Sequence, residues 1–166
     1  MFSVGDHIIY GVEGVCRVDE VGRLKVAGLA KHRDWERLTP YYRGGTIYSP
    51  VNGRAVMRPV ISREALEDLL PRLPELEPLA DMPTDSRTAG EYYRGILAEH
   101  NCERLLRLCK SLYQKQQALS VLRRGVSATE LRNWKMAEEL LFGEFGFVLG
   151  LKPAEVKKYL HQRLGQ

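Results

Sequence analysis

The 166-residue sequence has no apolar run approaching the roughly 18 residues of a membrane span. Its opening, MFSVGDHIIYG, lacks the apolar stretch of a secretory leader. Cysteine is scarce: Cys16, Cys102 and Cys109 form no CxxC pair, and an odd count without a leader points to reduced thiols in a cytoplasmic protein. The P-loop, GxGxxG, HExxH and GxSxG patterns are all missing, which removes the best-known signatures of nucleotide, metalloprotease and hydrolase chemistry. An enzyme is not expected, nor a cofactor, nor a small-molecule substrate. His7, His32, His100 and His161 are scattered without ligand spacing, so no metal site is expected either. Glu138 and Glu139 are adjacent on a helical pattern and diverge, which disfavours a paired-carboxylate role.

What is present divides in two. Glycines punctuate residues 1–60 and separate short β-branched or aromatic runs, a pattern that predicts five strands near 6–11, 14–22, 35–39, 45–49 and 54–58, with Pro50 and Pro59 closing the last two. That count fits a small SH3-like or Tudor-like β-barrel, in which about two of Trp35, Tyr41, Tyr42 and Tyr48 are expected to fill the interior. From residue 61 the period turns helical, with Ser62 as N-cap and Leu66, Leu69, Leu70 and Leu73 on one face. The fold class is therefore α+β: a β-domain over 1–60 and an all-α domain of about five helices over 61–166.

Within the second domain, Pro71, Pro74, Pro78 and Pro83 predict a stiff, extended connector. Helices follow from near Asp85, from about Asn101 to Leu122, from the capping box Ser127-Ala-Thr-Glu130 through Leu149, and from Pro153 to Leu164. The second of these carries Cys102, Leu105, Leu106, Cys109, Leu112 and Tyr113 at apolar-stripe spacing, so its cysteines read as core. Trp134 reads as packing. Gly143 and Gly146 inside the long helix imply that a neighbouring helix approaches closely.

The net charge of +4 is mild, but its distribution is not even. Residues 61–99 hold four cations against nine acids, whereas residues 100–135 hold eight cations against Glu103 and Glu130. Arg104, Arg107 and Lys110, three apart, form a candidate phosphate-reaching ridge. A solvated basic face is the competing reading.

Five segments together carry a resemblance: VGDHIIYGVEGVCRVDEV, LTPYYRGGTIYSPVNG, MRPVISREALEDLL, CERLLRLCKSLYQKQQAL and SATELRNWKMAEELLFGEFGFVLGLKPAEVKKYL. In order and spacing they resemble the CarD/CdnL family of bacterial transcription regulators, whose barrel is also the polymerase-interacting module of transcription-repair coupling factor. Helicase motifs are missing, so the stand-alone regulator is the better likeness. The resemblance implies a barrel that binds the β subunit of RNA polymerase, with Arg23, Arg43, Tyr48 and Arg54 as contact candidates. It further implies a helical domain that meets promoter DNA near the upstream edge of the melted bubble, with Arg94 at a position where the family helix carries a basic residue; Arg104, Arg107, Lys110, Arg123 and Arg124 of the basic segment join it as candidates for non-specific phosphate contacts. Two positions depart from the family pattern. Members place a tryptophan near the start of the second helix of the helical domain, and alignment through Tyr93 puts Ala89 there. Some members carry an arginine two residues before the proline of the TIYSP-like motif, where this sequence has Tyr48. The rival readings are an autonomous nucleic-acid-binding protein and a protein-interaction adaptor without polymerase contact.

Overall fold

Period-two burial and turn glycines make the first sixty residues a sheet. The computed structural model describes residues 2–80 and 82–164; Asp81 and the side chain of His161, both counted above, lie outside the described residues. Strands β1 (His7–Tyr10), β2 (Gly14–Gly22), β3 (Trp35–Pro40), β4 (Ile47–Pro50) and β5 (Met57–Pro59) pair antiparallel in the order β4-β3-β2-β1-β5. The fold is thus α+β, a β-unit followed by helices. Closure into a barrel would add a β4–β5 ladder; among the described residues the ladders leave these two strands at the sheet edges. Both end on a proline, which has no N–H to continue a ladder. β1 turns into β2 through a single 3-10 turn, Gly11–Glu13, flanked by Gly11 and Gly14 at φ 46° and 75°, a region glycine enters without a Cβ clash.

In β3 the alternation is complete: Glu36, Leu38 and Pro40 are buried, while Trp35, Arg37 and Thr39 are half-exposed. The core gathers Ile8, Cys16, Val18 and Leu38, with Phe2, Tyr10, Val21, Ile47 and Met57 packed around them. None of the four aromatics expected to share the filling is fully buried. Tyr41 and Tyr42 are exposed, and Trp35 and Tyr48 are half-buried, because the short aliphatic side chains of the inward register already fill so small an interior.

The chain separates into two compact units, Met1–Val60 and Ile61–Gln166. The second holds α1 (Arg63–Leu69), α2 (Ser86–Glu99), α3 (Cys102–Ser120), α4 (Ala128–Leu149) and α5 (Pro153–Leu164). Each of the first four starts on a side-chain cap that accepts from an otherwise orphaned N–H: Ser62, Asp85, Asn101 and Ser127, the last in a full capping box with Glu130. Their apolar faces meet in one core built around Leu66, Tyr93, Ile96, Leu105, Leu108, Leu112, Leu141 and Phe145. Cys102 and Cys109 belong to it; burial, and then the Glu138 charge, push the Cys109 thiol up to about 12, far from a reactive thiolate. A Cβ on Gly146 would lie 2.7 Å from the Leu151 carbonyl oxygen and 3.3 Å from Val156, so the close approach comes from the α4–α5 turn and from the neighbouring helix α5 itself. No helix among the described residues is long and apolar enough to cross a membrane.

Two expectations change. The proline-rich run is no free connector: Leu70–Glu75 forms a 3-10 turn, Leu76 is buried, and the Leu79 N–H donates to Ser111 Oγ at 2.7 Å. Residues 70–80 are a strap on the helical unit. On α3, Leu108 and Ser111 are buried while Tyr113 is 56% exposed, because the strap shifts the covered arc of this helix away from the stripe its sequence suggests.

Candidate functional site

On the β-unit, the outward residues form a charged face next to an edge strand. Tyr48 on β4 stands directly opposite Arg37 on β3, which stands opposite Glu20 on β2 and pairs with it at 3.5 Å. Arg17 and Thr39 are likewise register partners, and both hydrogen-bond Asp19, the arginine at 2.6 Å. Burial raises the Asp19 carboxyl, but the bonds from Thr39 and Arg17 and the charges of Arg17 and Arg37 outweigh it and hold the group below its ordinary value. Of the residues singled out from sequence, Arg23 clasps the 23–34 loop, bonding Asp34 at 3.1 Å and the Lys31 carbonyl at 3.4 Å. Arg43 lies 3.9 Å from Glu13, and Arg54 is exposed in the loop before β5. The four candidates therefore do not form one cluster. Arg37 and Arg17 share this outer face without having been singled out from sequence, although the alternation of WERLTP places Arg37 opposite in sense to Leu38 and so on that face.

Beneath that face sits an unusual pair. Glu36 is 3% exposed and is the register partner of buried Ser49, whose hydroxyl has no hydrogen-bond partner among the described residues. Burial holds the Glu36 carboxyl above its ordinary value. A raised folded-state value means that the folded β-unit binds a proton more tightly than the unfolded chain. Stability is then highest below the unfolded-state value and falls as pH rises through the folded one. Glu36→Gln is expected to stabilise the β-unit at pH 8 and to flatten this dependence. Urea unfolding followed through Trp35 fluorescence in a Trp134→Phe background, at pH 5 and pH 8, checks it; an unchanged slope with pH would contradict it.

On the helical unit the candidate cations separate into two kinds. Arg104 bonds Glu99 on the preceding helix. Arg107 Nε donates to the Glu77 carbonyl at 2.9 Å, and Lys110 Nζ donates to the Pro74 and Leu76 carbonyls at 3.0 and 2.6 Å. These last two hold the strap to α3, which a proline-rich segment needs because its carbonyls have few N–H partners of its own. Arg94 on α2 and Arg123 and Arg124 in the α3–α4 turn are exposed. Ala89, at the tryptophan position of the family pattern, is 6% exposed and packs in the core, so it presents nothing to a ligand.

Two buried polar knots tie the helices that carry these residues. Glu130 closes its capping box, accepts from Lys115 Nζ at 2.6 Å and lies 3.5 Å from the Tyr93 hydroxyl. Burial raises the Glu130 carboxyl, yet the bonds from Lys115 and Ser127 prevail and keep it below its usual value; Tyr93, buried beside that charge, is pushed up to about 12. Glu144, fully buried, accepts from the Ile61 N–H at 2.8 Å and from Cys102 Sγ at 3.1 Å, with His100 Nε2 at 3.5 Å. In both knots the carboxylate itself is buried and is held by groups of the helices around it, although Lys115 keeps its flank exposed.

Compared with known proteins, residues 2–61 match the family model described as the CarD-like/TRCF RID domain. No curated protein matches the chain.

Proposed function

We propose, on the premise that the N-terminal unit belongs to the CarD-like/TRCF family of RNA-polymerase-interacting domains, that this chain is a cytoplasmic transcription regulator that binds the β subunit of RNA polymerase and contacts promoter DNA near the upstream edge of the bubble. The family match over residues 2–61 carries the reading. The geometry supports it through β4, an edge strand with main-chain groups on its open side and Tyr48 beside Arg37 on its outer face. Edge strands are ready docking elements, and tyrosine and arginine are the residue types that dominate interface energetics. The helical unit then adds sequence-independent phosphate contacts through its exposed cations, Arg94, Arg123 and Arg124, and alters the lifetime of the open complex. No chemistry is catalysed and no cofactor is used.

With Arg107 and Lys110 engaged on the strap, the DNA contact is weak by itself. Tethering through polymerase compensates, because it raises the effective DNA concentration to the order of millimolar. The expected result is little binding to a duplex promoter fragment alone at physiological salt, together with a measurable change in open-complex half-life when the protein is added to polymerase and promoter. Tight binding to free DNA would favour the autonomous nucleic-acid reading instead.

A further inference from the structure

The α3–α4 turn carries features that chain reversal does not require. The N–H of Arg124 donates to the Leu119 carbonyl at 2.9 Å and the N–H of Arg123 to the Ser120 carbonyl at 3.0 Å, the paired bonds of a Schellman C-cap. That motif puts its C′ residue in the left-handed region, where glycine is usual; here Arg123 occupies it at φ 58°. Gly125, two residues later, is not at the strained position. The turn is also pinned from behind, with the Val126 N–H bonded to Gln116 Oε1 at 2.9 Å. Two of its exposed side chains are aliphatic: Val121 is 83% exposed and Leu122 65%. Around them, residues 113–137 hold Lys115, Arg123, Arg124, Arg132 and Lys135 against a single acid, Glu130, which is buried and paired with Lys115. Arg123, Arg124, Arg132 and Lys135 are all exposed.

A rigid tip with two aliphatic side chains between exposed cations fits one kind of partner better than others. A stable protein–protein contact buries about 800 Å² on each side, more than two aliphatic side chains supply. A nucleic-acid groove is narrow, is walled by phosphates and has an apolar sugar and base floor, against which aliphatic side chains insert. We propose that the 119–126 turn is a finger that enters the minor groove of promoter DNA, with Val121 and Leu122 against the groove floor and Arg123 and Arg124 on the flanking phosphates. The left-handed arginine places a guanidinium where glycine would leave a gap. This inference rests on the reading of the chain as a polymerase-tethered regulator.

The test uses the full chain on assembled polymerase–promoter complexes. A photo-crosslinking phenylalanine derivative at position 122 is expected to label DNA. Val121→Ser/Leu122→Ser is expected to reduce the protein's effect on open-complex half-life at least threefold while leaving binding to polymerase alone unchanged. Arg123→Gly is expected to raise the melting temperature, because glycine suits the left-handed position, and yet to weaken the same effect. Crosslinking to a polymerase subunit, or variants that act like the parent chain, would overturn the finger while the regulator reading stands. A parent chain that neither binds polymerase nor changes the complex would overturn both.

Discussion

Glu144→Ala is expected to destabilise the helical unit by about 3 kcal/mol or more, a large share of the roughly 5–15 kcal/mol that holds a typical domain together. The carboxylate is fully buried on α4 and receives the Ile61 N–H just before α1 and the Cys102 thiol at the start of α3. His100, which ends α2 in the left-handed region at φ 48°, turns its buried ring to within 3.5 Å of Oε1, the oxygen that faces Cys102, while the Ile61 N–H takes Oε2. One acceptor thus joins the ends of three helices to a fourth, and truncation withdraws it from all three groups at once. Glu144→Gln keeps an amide oxygen in place for the Ile61 N–H, so it is expected to cost less than the alanine variant. Urea unfolding followed through Trp134 in a Trp35→Phe background measures both. A loss below about 1 kcal/mol for the alanine variant, the size of a single surface hydrogen bond, would contradict the knot.

The double variant Arg107→Ala/Lys110→Ala decides whether these cations serve the fold or the ligand. They make three hydrogen bonds to strap carbonyls, two of them solvent-exposed. Charge-assisted bonds discounted for that exposure predict a loss of about 1–2 kcal/mol. They also predict local opening: amide exchange at Leu76 and Leu79 should speed up at least tenfold, consistent with about 1.4 kcal/mol or more of lost protection. A phosphate-contact role would give the opposite signature. Stability and exchange would stay at the parent level, and only the response of the promoter complex would fall.

These residues also mark where sequence reading stops. Caps and breakers act within a few positions, so the N-caps at Ser62 and Ser127, the strand-ending prolines and the α5 start at Pro153 are all legible from residue type and spacing. Long-range pairing is not. Arg107 and Lys110 meet partners 30 or more residues away in sequence, and nothing in a basic i, i+3 series tells a strap clasp from a phosphate ridge. The same strap moved the buried arc of α3 onto Leu108 and Ser111, because a hydroxyl that accepts from the Leu79 N–H is not recognisable as an interior residue. Exposed aliphatics at Val121 and Leu122 were invisible for a related reason: their sequence continues the helical pattern of α3, and only the left-handed turn at Arg123 shows that they project.

On the β-unit, register made the difference. Tyr48 could be named from its motif, but its partnership with Arg37 and its place on an edge strand follow from ladder order, which strand lengths alone do not determine. In the proposed function this edge is the anchor to polymerase. The most direct measurement is interferometry of the full chain against purified RNA polymerase β-subunit lobe, comparing the parent with Tyr48→Ala. Micromolar or tighter binding is expected, weakened about tenfold or more by the substitution, the equivalent of about 1.4 kcal/mol. A well-folded chain that does not bind the lobe at all would contradict it.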